Sequence, residues 1–155
     1  MAIPLIERAK IQAHALVPLI KALCEELGQE RADDLVRRAL GEQYRQFGEK
    51  WWRERGSQDL GRNMATAYVK FAEGDALDYK VLKQTDDAYE VDVTGCRYAA
   101  FYQALGEPEL GFLLACGADF PTVEGYGAGV KLERTQTIMQ GASHCDFRYA
   151  KAKTG

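Results

Sequence analysis

The sequence predicts an α+β domain: an N-terminal helical hairpin and a third helix packed on a mostly antiparallel sheet of about four strands, with a helical crossover between the strands. Three observations carry this. Apolar residues recur at steps of three and four through the first half of the chain, the period changes to two after Gly74, and helical character returns from Cys96 before two last alternating segments.

Between Leu5 and Leu27 the residues Ile6, Ala9, Ala13, Leu16, Val17, Ile20, Leu23, Cys24 and Leu27 form one buried stripe. Pro18 should kink or split this helix, and Gly28 supplies a left-handed stop. Leu35, Val36, Ala39, Leu40, Tyr44, Phe47 and Trp51 repeat the spacing over about Glu30 to Arg53, and the short Gly28-Gln29 link makes the two helices an antiparallel pair. Ser57 is the expected cap of a third helix with Leu60, Met64, Ala67, Tyr68 and Phe71 on its apolar face, ended by Gly74.

After Gly74, Leu77, Tyr79 and Val81 alternate with charged residues, as do Tyr89, Val91 and Val93, with Thr85-Asp86-Asp87 between them: a β-hairpin. Cys96 to Leu105 and Pro108 to about Cys116 read as two short helices, with Pro108 in a first turn. Phe120 to Gly129, rich in Gly and Pro, reads as an exposed loop. Val130 to Thr137 and Cys145 to Ala150 read as the last strands, joined by a turn at Gly141-Ala142-Ser143, and Lys151 to Gly155 as a frayed tail.

The chain has 155 residues, 46% hydrophobic and 28% charged, the size and balance of one globular domain spanning 1–155. A formal charge of −3 offers no cationic surplus for a phosphate backbone, so nucleic acid is not the expected partner. Glu7, Arg8 and Lys10 interrupt any secretory apolar stretch, and no run approaches a membrane span. Cys24, Cys96, Cys116 and Cys145 are too few and too scattered for a disulfide framework, so they read as reduced thiols and the expected location is cytoplasmic. The expected partner is a small-molecule substrate. Monomer and homo-oligomer both stay open.

Cys96 follows a strand and opens a helix, where free N–H groups and the helix dipole favour a thiolate, so it reads either as a nucleophile or as a half-buried apolar thiol. Cys24 lies on the core stripe. Cys116, near a helix C-terminus, suits packing or metal binding. Cys145 stands beside His144, but strand neighbours point to opposite faces, and no Cys-x-x-Cys pair supports a zinc site. Arg134 shares a strand face with Val130 and Leu132 and, if buried, needs an anion: either a salt bridge to Asp119 or Asp146, or a substrate carboxylate. Asp119 is placed to cap a turn or to act as a base. Trp51-Trp52 and the tyrosines read as packing residues, His14 as a helix-surface residue, and the run Glu49 to Arg55 as a solvated face.

Read together, the ordered blocks Thr94-Gly95-Cys96-Arg97-Tyr98-Ala99, Leu105-Gly106-Glu107-Pro108-Glu109-Leu110-Gly111, Cys116-Gly117-Ala118-Asp119, Glu133-Arg134-Thr135-Gln136-Thr137 and Gly141 with Cys145-Asp146-Phe147 resemble the L-2-amino-thiazoline-4-carboxylic acid hydrolase family. The likeness covers about residues 85 to 150 and extends more loosely to Leu27-Gly28-Gln29-Glu30-Arg31-Ala32 in the early helices. It implies hydrolytic opening of a cyclic amidine-like C=N in a small sulfur-containing amino acid, giving a carbamoyl-cysteine on the way to cysteine. In that chemistry Cys96 and Asp119 are the catalytic candidates, with Cys96 attacking or lining the pocket and Asp119 activating water or relaying a proton. Arg134 holds the ring carboxylate, and Thr135, Cys116, Cys145 and Asp146 are the further substrate-binding candidates. Neither a nucleotide nor a flavin is expected, and metal binding by the cysteines is the alternative to none. The Gly141 to Phe147 ending with helices before it is also similar to the four-vinyl-reductase type of small-molecule-binding domain, so a non-catalytic binding or sensor module is the rival reading. A third is an interaction protein built on the helical hairpin.

Overall fold

The computed structural model describes residues 2–127 and 129–153. Two long helices, α1 (Leu5–Leu27) and α2 (Gln29–Arg55), form the expected hairpin about Gly28, whose φ of 84° suits a residue without a side chain. Pro18 does not split α1, which runs unbroken through it. Helix α3 (Leu60–Phe71) is capped by Asp59, whose carboxylate accepts from the Arg62 N–H, rather than by Ser57. Ser57 Oγ instead accepts from the Asp59 N–H, so the expected cap tightens the turn that positions the actual one.

The hairpin of β1 (Leu77–Gln84) and β2 (Ala88–Cys96) leads through α4 (Arg97–Ala104), α5 (Pro108–Leu114), a 3-10 turn at Cys116–Ala118 and α6 (Asp119–Tyr126) to β3 (Val130–Glu133) and β4 (Cys145–Lys151). A second 3-10 turn, Ile138–Gln140, lies between the last two strands. The strands form one sheet in the order β1-β2-β4-β3, every neighbour antiparallel. The α+β class, the four strands and the helical crossover therefore stand as the sequence predicts.

The predicted loop from Phe120 to Gly129 is wrong for most of its length. Asp119–Tyr126 is helix α6, and Val123, Gly125 and Tyr126 are buried. Pro121 sits in the first helical turn, where its missing N–H costs nothing. Gly125 lies against the backbone of Arg45 and Glu49 on α2, Gly48 lies against the backbone of Thr122 on α6, and Tyr126 stacks on Trp52 with ring centroids 5.2 Å apart. Tertiary contact outweighs a composition that looks like a loop. The predicted strand from Val130 to Thr137 is shorter, ending at Glu133. The crossover helix expected to reach Cys116 stops at Leu114, so Cys116 begins the 3-10 turn instead. Lys151, expected to start a frayed tail, closes β4 and donates its N–H to the Asp87 carbonyl at 2.9 Å. Met1, Ala128, Thr154 and Gly155, the last three in the segments predicted as loop and tail, lie outside the described residues.

The side chains of Tyr89, Val91 and Val93 on β2 and of Cys145, Phe147 and Tyr149 on β4 pair across one buried face of the sheet. Against it pack α3, α6 and the C-terminal half of α2, forming one core cluster; α1, α4 and α5 with the N-terminal half of α2 form a second. Cys96 and Ile138 touch both clusters. The seam between the two is where the chemically interesting side chains gather.

Candidate functional site

Alternation along the chain puts Arg134 on the inner side with Val130 and Leu132, and its side chain is only 5% exposed. Its Nη1 donates to Asp119 Oδ2 at 2.5 Å and to the Cys116 carbonyl at 3.2 Å. Of the two anions that the sequence offers Arg134, the fold therefore selects Asp119. Three aromatic faces surround the guanidinium: Phe120, Phe147 and Phe112, with ring centroids 4.9, 5.6 and 5.9 Å from its central carbon.

Asp119 is the first residue of α6, directly after the turn that carries Cys116. Burial pushes its carboxyl up to about 6, against the opposing pull of Arg134. A third of its side-chain surface stays accessible, so it can exchange protons with solvent.

Cys96 ends β2 and caps α4, its Sγ accepting from the Ala99 N–H at 3.4 Å. That local geometry is the one expected of an activated thiolate. The electrostatic expectation fails, because burial raises the thiol above its ordinary value, the Ala99 and Tyr98 N–H groups pull it back only in part, and the Asp119 charge adds to the rise. Cys116 is driven up further by burial and by Asp119. Cys145, whose Sγ accepts from the Ile138 N–H at 3.2 Å, is pushed up to about 11, first by burial. All three thiols sense Asp119, and each is held as the neutral acid at neutral pH.

Alkylation of the native protein by iodoacetamide below pH 8, mapped by mass spectrometry, should therefore leave Cys96, Cys116 and Cys145 unmodified until denaturant exposes them. Rapid modification of Cys96 at neutral pH would restore it as a nucleophile.

Thr135 and Asp146 do not join this group. Asp146 points to the other face of β4, where its Oδ1 accepts from the N–H groups of Thr135 at 2.8 Å and Gln136 at 3.0 Å, and its Oδ2 accepts from the Thr135 hydroxyl. Partial burial works against its charge, but these hydrogen bonds outweigh it and hold the carboxyl below its usual range. The pair pins the extended segment that follows Arg134, and so fixes where the guanidinium enters. His144 lies on this side too, near Ser143 and Gln136, apart from the Cys145 thiol. All four cysteines are free, and among the described residues no group of three or more His, Cys, Asp or Glu side chains is arranged to hold a metal ion.

Two tyrosines that the sequence leaves to packing belong to the inner wall. Tyr68 of α3 and Tyr149 of β4 are buried with their hydroxyls 3.0 Å apart, and both sense the Asp119 charge. Tyr149 was legible in principle, since it follows Cys145 and Phe147 at period two. Tyr68 was not, because only the docking of α3 on the sheet brings it there.

The fold and the site thus define a small α+β domain whose interior holds one arginine-aspartate pair among thiols and aromatic rings. The sequence profile of the L-2-amino-thiazoline-4-carboxylic acid hydrolase family matches residues 8–149, and the chain belongs to that family. No curated protein matches it. Among solved structures, the Fe(II) unliganded H-NOX protein from K. algicida superposes with a TM-score of 0.51 at 13% identity, covering 90% of this chain and 72% of that one. The phenol-responsive sensory domain of the transcription activator PoxR with phenol gives 0.49 at 17% identity, over 88% and 73%. The H-NOX likeness is one of fold. No helix among the described residues is long and apolar enough to cross a membrane.

Proposed function

We propose that the domain hydrolyses a small cyclic amidine bearing a carboxylate, with L-2-amino-thiazoline-4-carboxylate as the substrate that the family suggests. The observation that carries this reading is the Arg134–Asp119 pair, a buried cation and a carboxyl near 6 side by side in one wall. Arg134 holds the ring carboxylate. Asp119, as the neutral acid, protonates the ring nitrogen while water attacks the amidine carbon and gives its proton to the carboxylate. A second such relay protonates the departing nitrogen and takes the added hydroxyl's proton as the C–N bond breaks, giving a carbamoyl-cysteine. Cys96 lines the pocket rather than attacking, because its thiol is protonated. Cys116 and Cys145 contribute soft apolar surface suited to a sulfur ring. Thr135 and Asp146 support binding from behind by fixing Arg134.

Incubation of the purified chain with the amino-thiazoline carboxylate, followed by mass spectrometry for carbamoyl-cysteine, tests this directly. Asp119→Asn and Arg134→Met should each lower kcat/KM by about 100-fold or more, the scale of a lost general base or a lost anchor. Cys96→Ser should cost less. Parental turnover in both Asp119→Asn and Arg134→Met would remove the mechanism.

A second reading is favoured by the protonation of all three thiols, which suits a chamber that binds a ligand without converting it. As a sensor module the chain would bind the same carboxylate compound with no turnover.

A further inference from the structure

Arg134 faces Asp119 at 2.5 Å, so any ligand carboxylate that the guanidinium receives must share or replace an anion already in place. The surroundings decide which. Phe112, Phe120 and Phe147 cover the guanidinium, and a second carboxylate beside Asp119 would leave a net negative charge in a poorly solvated wall.

The groups that sense Asp119 are Tyr44 on α2, Tyr68 on α3, Cys96 and Tyr98 at α4, Cys116 in the 3-10 turn before α6, Tyr126 on α6 itself, and Cys145 and Tyr149 on β4. Every one of these is an acid that is neutral at neutral pH, and Arg134 is the cation opposing the desolvation of Asp119. None of those thiols or hydroxyls can take over the work of a guanidinium.

We propose that a ligand carboxylate displaces Asp119 from Arg134, and that the released Asp119 takes up a proton from solution. This rests on the reading of Arg134 as a carboxylate clamp and adds its regulation: binding converts Asp119 from ion-pair partner to neutral acid. Asp119 acts as a built-in competitor that occupies the clamp when no ligand is present. In the hydrolase, the same exchange hands Asp119 to the reacting ring as a proton donor only once the ring is bound. The accessible third of its side chain supplies the route for the proton.

Calorimetric titration of the full chain with thiazole-4-carboxylate, an aromatic ring with no hydrolysable amidine and no group titrating near neutrality, is the test. Run at pH 7 in phosphate and in Tris, it should show uptake of close to one proton per ligand bound, and binding should weaken by about tenfold per pH unit above about 6. Asp119→Asn, which keeps an oxygen facing Arg134, should bind with no proton transfer and no dependence on pH. Arg134→Lys should bind weakly, with circular dichroism confirming its fold. Binding by the parent chain with identical heats in the two buffers overturns the exchange without any variant. If that chain also hydrolyses the amino-thiazoline carboxylate, the proposed function survives alone; a folded chain that neither binds nor hydrolyses removes both.

Discussion

Gly48→Ala should destabilise the protein by about 3 kcal/mol, the upper range for forcing atoms into a packed interior. A Cβ at position 48 would lie 2.8 Å from the carbonyl carbon of Thr122 and closer still to its oxygen. The reciprocal contact is as severe, for a Cβ at Gly125 would lie 2.8 Å from the Glu49 nitrogen and closer to the Arg45 carbonyl oxygen. Both obstacles are backbone, so neither helix can yield by turning a side chain. Separating α2 from α6 would also unstack Tyr126 from Trp52 and displace Asp119, at the start of α6, from Arg134. Gly41→Ala is the internal control. It lies on the same helix and facing the same neighbour, but its Cβ would meet only Pro121 Cγ at 3.9 Å. There the gain in helix propensity should stabilise by roughly 0.5–1 kcal/mol. Urea unfolding followed by circular dichroism compares the two, and equal midpoints would mean that the close crossing is not present in solution.

Asp119→Leu should cost about 3–5 kcal/mol, because it strands a guanidinium that is 5% exposed and cannot neutralise itself by losing a proton. Arg134→Met leaves the opposite partner, which has an escape: a carboxyl can protonate. Its cost should therefore be smaller at pH 5 than at pH 8. The sign follows from linkage. Asp119 has its folded value raised from 3.8 to about 6, so the stability it contributes is fully present below 3.8 and is lost as pH rises through about 6. Removing Arg134 raises the folded value further and extends that loss to higher pH. Asp119→Leu abolishes this dependence. The double variant Asp119→Leu with Arg134→Met should recover most of the loss, since two apolar groups leave no orphaned charge. Denaturant midpoints for the four proteins at pH 5 and pH 8 form the cycle. Strict additivity of the two single changes would show that the pair does not interact.

The sequence located the site better than it described its chemistry. Period-two alternation placed Arg134 on the inner face, and the residue order at Cys96 placed its sulfur at a helix N-terminus; both hold. The expected consequence at Cys96 does not hold, because a helix terminus lowers a thiol only while solvent still reaches it, and here packing against both core clusters withdraws that solvent. Thr135 and Asp146 entered the candidate site through the family blocks that they share with Arg134 and Cys145. Their one-residue offset along the chain sends them to the opposite face.

The helix at Asp119–Tyr126 was hidden for a related reason. Its glycines look like loop residues until the partner helix is known, and only then do they become the means by which two backbones approach.

What the amino-acid order determined alone was therefore everything local: the two long helices, the hairpin, the four strands, the alternation that turns Arg134 inward and the blocks that mark the family. What only the tertiary structure decided was the pairing of charges and the protonation of the thiols. Periodicity is written in neighbouring residues, whereas desolvation and ion pairing depend on which distant atoms exclude water. Asp119 and Arg134, fifteen positions apart, acquire their chemistry when α6 docks on α2 and β3 joins the sheet.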